Sequence, residues 1–398
     1  MEFKFGFQVP SSSDISSKDK NDESNNSNNN KSNKNATSTT ERDAKVNDTK
    51  GTIQALNIKE AISNHCHYRN IKEADEASNV VNLVSSFPYE SIPLSSEEEG
   101  EPKSITTPLK RILPSNHKNM VVPNNTDLIP GVYEGGLKVW ECSLDLCYYI
   151  TQQLLLLQNN RTFDKNDLSI LELGCGHGLP SCLLLRELLG KAFNMTVLFS
   201  DYNEFVLRDV TLPNVLLNTL LPSSTAQDSE KLTSSVGMVS GDWLQLSIHL
   251  SNNTLPQISS LGDQYKPPQD GKFDVILMAE TTYTTLAARQ TAFLILHHLK
   301  LPLSRSLEHK NIDKGDDSGG VAFVASKRYY FGVGGGVDVF REECQTLKLV
   351  VDDDTHGDDE NKRTSWWKLQ VETVQVYDNG KGNIRELLKV TPYLVVDE

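Results

Sequence analysis

Three glycines at alternate positions, Gly174, Gly176 and Gly178, interrupt the segment Ser169-Ile-Leu-Glu-Leu-Gly-Cys-Gly-His-Gly-Leu179 after an apolar run and before a helical pattern from Leu183 to Leu189. A strand, a bare turn and a helix N-terminus make half of a nucleotide-binding unit, because backbone without side chains lets a ligand reach amide donors. A dinucleotide fingerprint requires glycine at its first, third and sixth positions. Here the sixth, counted from Gly174, is Leu179. Glu172 stands before the turn, where a diphosphate would meet like charge. The pattern points to a ligand with a cationic amino-acid end, S-adenosylmethionine, with Glu172, Gly174 and Gly176 against it.

The other chemistry-bearing residues stand just after apolar runs, where the ligands of open α/β sheets lie. Asp201-Tyr202-Asn203 follows the run Met195–Ser200. An acid at that distance accepts both ribose hydroxyls, or else caps a helix beginning near Phe205. Gly241-Asp242-Trp243 offers adenine an acceptor and a flat ring, although a core tryptophan has the same signature. Ala279-Glu280-Thr281-Thr282-Tyr283 falls beside the expected methyl group. Ser326-Lys-Arg-Tyr-Tyr-Phe-Gly-Val-Gly-Gly-Gly336 could cradle a phosphate. With nothing to support a second nucleotide site, a flexible, substrate-facing loop fits it better. His65-Cys66-His67 holds metal-ligand types, but three adjacent residues cannot converge on one ion in regular structure, and no metal is expected.

The elements that must position these residues alternate from Val139 onward. Strands are expected at Ile170–Leu173, Met195–Ser200, Val236–Ser240, Phe273–Ala279 and Val321–Ala325. Helices are expected at Leu144–Leu157, at Phe205–Leu217 with an interruption at Pro213, at Leu286–Leu299 and at Val337–Leu347. Such alternation implies a parallel sheet with right-handed crossovers. Trp366–Tyr377 and Leu387–Val396, joined through Asp378-Asn379-Gly380, read as an antiparallel hairpin. The expected fold is α/β, a seven-stranded Rossmann-like sheet of methyltransferase type rather than the all-parallel sheet of a dehydrogenase.

Residues 11–50 are almost wholly Ser, Asn, Lys, Asp and Thr, and residues 88–108 are rich in Ser, Glu and Pro. Neither stretch buries enough apolar surface to offset the entropy of ordering. The expected organisation is a short Phe-rich tip at 1–10, a mostly disordered leader at 11–125 with a helix or two within Ile53–Val84, and one domain at 126–398. Polar stretches at 222–235, 251–272 and 304–319 read as surface insertions. A net charge of −14 argues against direct nucleic-acid binding. The sequence shows neither a bilayer-spanning apolar run nor a signal-peptide core. Six cysteines without a CxxC pair read as the reduced thiols of a cytoplasmic or nuclear protein.

Gly131-Val-Tyr-Glu-Gly-Gly-Leu-Lys-Val-Trp-Glu-Cys-Ser143, Glu172-Leu-Gly-Cys-Gly176, Asp201-Tyr-Asn203, Gly241-Asp-Trp243 and Phe331-Gly-Val-Gly-Gly-Gly336 occur in that order. Together they resemble the protein-histidine N-methyltransferase family, and Phe3-Lys-Phe5-Gly-Phe7 is similar to its opening. The resemblance covers that tip and most of Asp127–Val396. It implies an enzyme that uses S-adenosylmethionine to methylate the tele nitrogen of a histidine in a large-subunit ribosomal protein, and a monomer is expected. It also carries cofactor contacts onto Trp140, Glu141, Cys142 and Ser143, onto Gly174, onto Asp201, Tyr202 and Asn203, and onto Gly241, Asp242 and Trp243. Ala279 stands where the family usually has serine, which removes a hydroxyl from that contact.

Methyl transfer from a sulfonium is an in-line displacement, so alignment is most of the task. An imidazole of pKa about 6.5 is largely neutral at pH 7, whereas a lysine at about 10.4 must first lose a proton. An acceptor on the other ring N–H would fix the tautomer and stabilise the developing charge. Glu280 is the first choice for that acceptor. A cap on the helix near Leu286 and a contact to the cofactor's amino group are its alternatives. Tyr283, with Tyr329 and Tyr330, would wall the imidazole. Competing readings are a lysine-directed enzyme of the same fold, a binding module without turnover and, weakest, a dehydrogenase.

Overall fold

The computed structural model describes residues 52–69, 71, 76–94, 107–113, 128–129, 131–160, 167–189, 194–220, 224–254, 265–302, 319–351, 365–378, 380 and 382–396. Phe3, Phe5, Phe7 and the polar tract 11–50 lie outside them. The first elements are β1 (Gln54–Ala55), α1 (Ile58–Tyr68), α2 (Glu76–Ser86), β2 (Tyr89–Ile92) and β3 (Leu109–Ile112). The alternating part follows: α3 (Glu141–Asn160), β4 (Asp167–Leu173), α4 (Leu179–Leu188), β5 (Asn194–Asp201), α5 (Glu204–Val206), α6 (Leu212–Thr219), α7 (Ala226–Ser235) and β6 (Val236–Ser240). It continues through α8 (Trp243–Ser251), β7 (Val275–Ala279), α9 (Thr285–His298), β8 (Val321–Lys327), α10 (Val337–Thr346), β9 (Leu349–Val351), β10 (Ser365–Asp378) and β11 (Ile384–Val396).

The main sheet runs β1-β6-β5-β4-β7-β8-β11-β10-β9. Strands β4 to β8 are parallel, and the long β10–β11 hairpin closes the sheet antiparallel to β8. The seven expected strands are all present. Two edge strands, β1 and β9, extend the sheet to nine; at two and three residues they are too short to show a period of two in the sequence.

Alternate residues of each parallel strand enter opposite layers. In β4, Ile170 joins the apolar cluster that includes α3, α4 and α6, while Leu171 and Leu173 join the cluster that includes α8, α9 and α10. Burial on both faces explains why these strands read as continuous apolar runs. The sheet order reverses between β4, β5 and β7, and this places the ligand crevice at their carboxyl ends.

Besides the edge strands, the helix α7 lies within the stretch 222–235 that the sequence reads as a surface insertion. The interruption expected at Pro213 takes the form of a π turn, Leu207–Thr211, after which Pro213 falls in the first turn of α6. Residues within 53–113 also pack into the domain that the sequence reading starts at 126. Leu56, Ile58, Leu83, Phe87, Leu109 and Ile112 join the core cluster. Asn214 and Asn218 of α6 accept the amides of Ile112 and Lys110 at 2.7 and 2.8 Å. Their signal was missed because each segment contributes only a few apolar residues between polar tracts.

Candidate functional site

A cavity of about 520 Å³ opens at the carboxyl ends of β4, β5, β6 and β7. Each strand delivers its next residues to it, as elongation past the sheet edge requires.

After β4, the turn glycines Gly174 and Gly176 line the cavity with positive φ. A Cβ on Gly174 would stand 2.8 Å from Thr281 and 3.3 Å from Trp243, so only glycine leaves this space open. Glu172 also lines the cavity, but its Oε2 accepts the Ser181 amide at 3.0 Å. It thereby caps α4, whose N-cap Gly178 has no side chain to do so. Burial pushes the Glu172 carboxyl up to about 7, which weakens its expected part as a fixed negative charge.

After β5, Asp201 is buried behind the glycine turn. Its Oδ2 accepts Gly176 N–H at 2.9 Å and its Oδ1 accepts Asn203 N–H at 3.0 Å. Burial raises its pKa to about 6, against the lowering pull of those amides. Tyr202 lines the cavity and donates its hydroxyl to Gly131 O at 3.1 Å. Asn203 does not reach the cavity; it donates to Val132 O at 2.8 Å and accepts Glu134 N–H at 3.1 Å. Both residues therefore hold the strap 131–140 that crosses the cavity. Asp201 does not cap the following helix, whose N-cap is Asn203.

After β6, Gly241, Asp242 and Trp243 line the cavity. Asp242 caps α8 through Oδ1, which accepts Leu244 N–H at 2.9 Å. Trp243 is half-buried: its ring stands beside the Gly174 turn and also packs against the core cluster beneath α8 and α9.

After β7 come Ala279, at the cavity wall, and Glu280, whose φ of 58° is rare for a residue with a side chain. This left-handed kink brings the buried carboxylate to the cavity. Its Oε2 accepts the Tyr330 hydroxyl at 2.6 Å and its Oε1 faces Lys327 Nζ at 3.4 Å. The helix after it is capped by Thr284, so Glu280 has no capping duty. Thr281 Oγ1 is buried without a hydrogen-bond partner among the described residues. Tyr283 lines the cavity and donates its hydroxyl to Glu134 of the strap.

The strap's end supplies Trp140 and Ser143 to the lining. Trp140 donates Nε1–H to Gly135 O at 3.1 Å, and the Lys138 and Lys327 ammoniums lie 4.4 and 5.1 Å from its ring centre. Glu141 is exposed and pairs with Lys327 at 3.4 Å, while Cys142 is fully buried behind the wall. Neither reaches the cavity. Sequence reasoning did not single out Glu134, Thr281 or Lys327. Glu134 and Lys327 lay within quoted motifs, but their roles depend on partners remote in the chain.

A parallel sheet closed by an antiparallel hairpin, with a cavity at the switch point built from a glycine turn and successive strand-end acids, defines a Rossmann-like fold of methyltransferase type. A family model described as "Lysine methyltransferase" matches residues 131–233. The chain is 32% identical over 270 residues to "Histidine protein methyltransferase 1 homolog" of Dictyostelium discoideum, covering 67% of this chain and 61% of that protein. It is 31% identical over 247 residues to "Histidine protein methyltransferase 1" of Schizosaccharomyces pombe, covering 58% and 63%. The Bos taurus homologue is 31% identical over 267 residues, covering 62% and 60%. The resemblance carried by the ordered motifs is thus matched by homologues of that name. The chain spans about three fifths of their length. The solved CurJ carbon methyltransferase aligns at 12% identity and a TM-score of 0.32 over 63% of this chain and 55% of its own. That likeness is too remote to carry an argument.

Proposed function

We propose that the chain is a protein-histidine N-methyltransferase that transfers a methyl group from S-adenosylmethionine to the tele nitrogen of a histidine in a large-subunit ribosomal protein. The observation that carries this reading is the placement of a buried, kinked carboxylate, Glu280, at a cavity shaped by Gly174 and Asp201, in a chain homologous to histidine methyltransferases.

The residues fit the cofactor. Gly174 leaves a cradle that a Cβ would fill, and the unpartnered Thr281 hydroxyl points to a missing polar neighbour. Asp201 would accept the ribose hydroxyls and Tyr202 would flank them. Trp243 would stack on adenine, and Asp242 would accept its amine through the oxygen not used in the cap. When bound, the cofactor supplies an electrophilic methyl on sulfur.

The remaining work belongs to the chain. A neutral imidazole approaches with one nitrogen toward the methyl and the other carrying hydrogen. Glu280 accepts that N–H. Tyr330 donates to its Oε2, whereas its Oε1 faces the Lys327 ammonium without a hydrogen-bond partner among the described residues, which leaves Oε1 the oxygen open to the substrate. Positive charge developing on the ring during methyl transfer would face this fixed carboxylate, which would need no reorganisation to stabilise it. The proton on the far nitrogen then passes to solvent. Tyr283, tied to the strap, closes one wall against water.

We further propose that the enzyme acts as a monomer in the cytoplasm and nucleus, without direct nucleic-acid or membrane contact. Its net charge of −14 and its six buried, free cysteines favour this.

The description of the matching family model favours a second reading, methylation of lysine. Incubation of the purified chain with labelled S-adenosylmethionine and ribosomes from cells lacking the enzyme tests the proposal. A labelled large-subunit protein is expected. Tight cofactor binding with no labelled protein would move the chain to the inactive binding modules.

A further inference from the structure

We infer that the turn 328–336 is the docking element for the protein substrate, and that Phe331 is its anchor, received by apolar side chains next to the methylated residue. This rests on the reading that the substrate is a protein. Phe331 is 86% exposed, with Tyr329 at 56% and Val333 at 45% on the same turn. Leu286, 65% exposed, stands in the first turn of α9. Single exposed apolar residues are ordinary, but an exposed group gathered at a cavity marks an interaction surface. Val333 and Leu286 also line the cavity, so the apolar surface is continuous with the place where the methylated side chain must enter.

The turn is held at its base, contrary to the flexible loop that its glycines suggest. Gly335 and Gly336 donate to Tyr283 O and Thr282 O at 3.1 and 2.9 Å, and Val337 donates to Arg328 O at 3.2 Å. A Cβ on Gly335 would lie 2.1 Å from Thr282 O, so glycine permits this close seating. The seated base presents Phe331 with little further ordering cost, which favours binding. Large aromatic side chains in this position are typical interface anchors.

Neighbouring residues on the turn serve opposite sides. Tyr330 turns inward and donates to Glu280, while Tyr329 and Phe331 stay in solvent. One short turn, hydrogen-bonded at its base, therefore spaces the docking side chain from the carboxylate that orients the nucleophile.

The test compares wild type with Phe331→Ala and Phe331→Asp for transfer of labelled methyl to protein of an extract lacking the enzyme, alongside S-adenosylmethionine affinity by calorimetry. The expected result is unchanged cofactor affinity, about tenfold lower kcat/KM for protein with Phe331→Ala, and a larger loss with Phe331→Asp. Wild-type labelling by Phe331→Asp would overturn the docking role. If wild type labels lysine and Phe331→Asp still fails, docking stands while the histidine assignment falls. If wild type binds the cofactor and labels no protein, both readings fall together.

Discussion

The hydroxyl of Tyr283 donates to the carboxylate of Glu134, joining the loop after β7 to the strap that crosses the cavity, although 149 residues separate the two in the chain. Glu134 Oε1 in turn accepts the Gly131 amide at 2.7 Å, so one carboxylate fixes both the strap's own turn and its latch. Removal of the latch by Tyr283→Phe should leave the fold intact and loosen the strap. A hydrogen bond to a charged group contributes about 1.5–3 kcal/mol, so the cofactor Kd should rise by about tenfold or more. Calorimetry checks this. An unchanged Kd would mean that the strap stays closed without the latch.

Asp201 joins the glycine turn to the ligand crevice. Its pKa, raised to about 6 by burial, makes cofactor affinity pH-dependent if the ionised carboxylate is the form that accepts the ribose hydroxyls. At pH 5 only about a tenth of such carboxyls remain ionised, so affinity should be about tenfold weaker than at pH 8. Asp201→Ala should lose cofactor binding while retaining its circular dichroism spectrum. Unchanged affinity in that variant would overturn the ribose assignment.

Glu172 shows how a residue read as a ligand contact also serves the fold. Its folded pKa of about 7 lies above the ordinary 4.5 because burial disfavours the charge. The contribution of the native carboxyl is therefore greatest below pH 4.5 and declines as pH rises to 7, where ionisation would have to occur in a buried site. The shift corresponds to about 3 kcal/mol as an order of magnitude. Glu172→Gln keeps an acceptor for Ser181 N–H and removes the titration. Urea unfolding should show the variant near wild-type stability at pH 4.5 and more stable than wild type at pH 8. An equal difference at both values would refute the assignment.

The parallel half of the sheet was legible because strands buried on both faces announce themselves as apolar runs: β6 has the expected ends, and β4, β5, β7 and β8 differ only at their edges. The placement of the strand-end acids at the cavity was also legible, since the topology dictates which positions follow the strands. What sequence could not convey was how their oxygens are shared. Asp242 spends one on α8, Glu172 spends one on α4, and Glu280 finds Lys327 and Tyr330 only after β7 and β8 pair. Cys142 and Glu141 sit inside a matching motif, yet helical geometry turns one into the core and the other to solvent. In the N-terminal segment the helices α1 and α2 match the expectation for 53–84, but its pairing into the sheet was hidden: β1 has two residues, and its partner β6 lies far along the chain.

Glu280 is proposed to orient a histidine of a protein for methylation. The most direct measurement is complete hydrolysis of the labelled substrate protein and chromatographic identification of the methylated amino acid, for wild type and for Glu280→Gln. Wild type is expected to give tele-methylhistidine. Glu280→Gln is expected to give at least about a hundredfold less, with cofactor affinity retained, because a neutral amide cannot stabilise the imidazolium charge. Methyllysine in the hydrolysate, or undiminished methylhistidine from Glu280→Gln, would contradict the proposal.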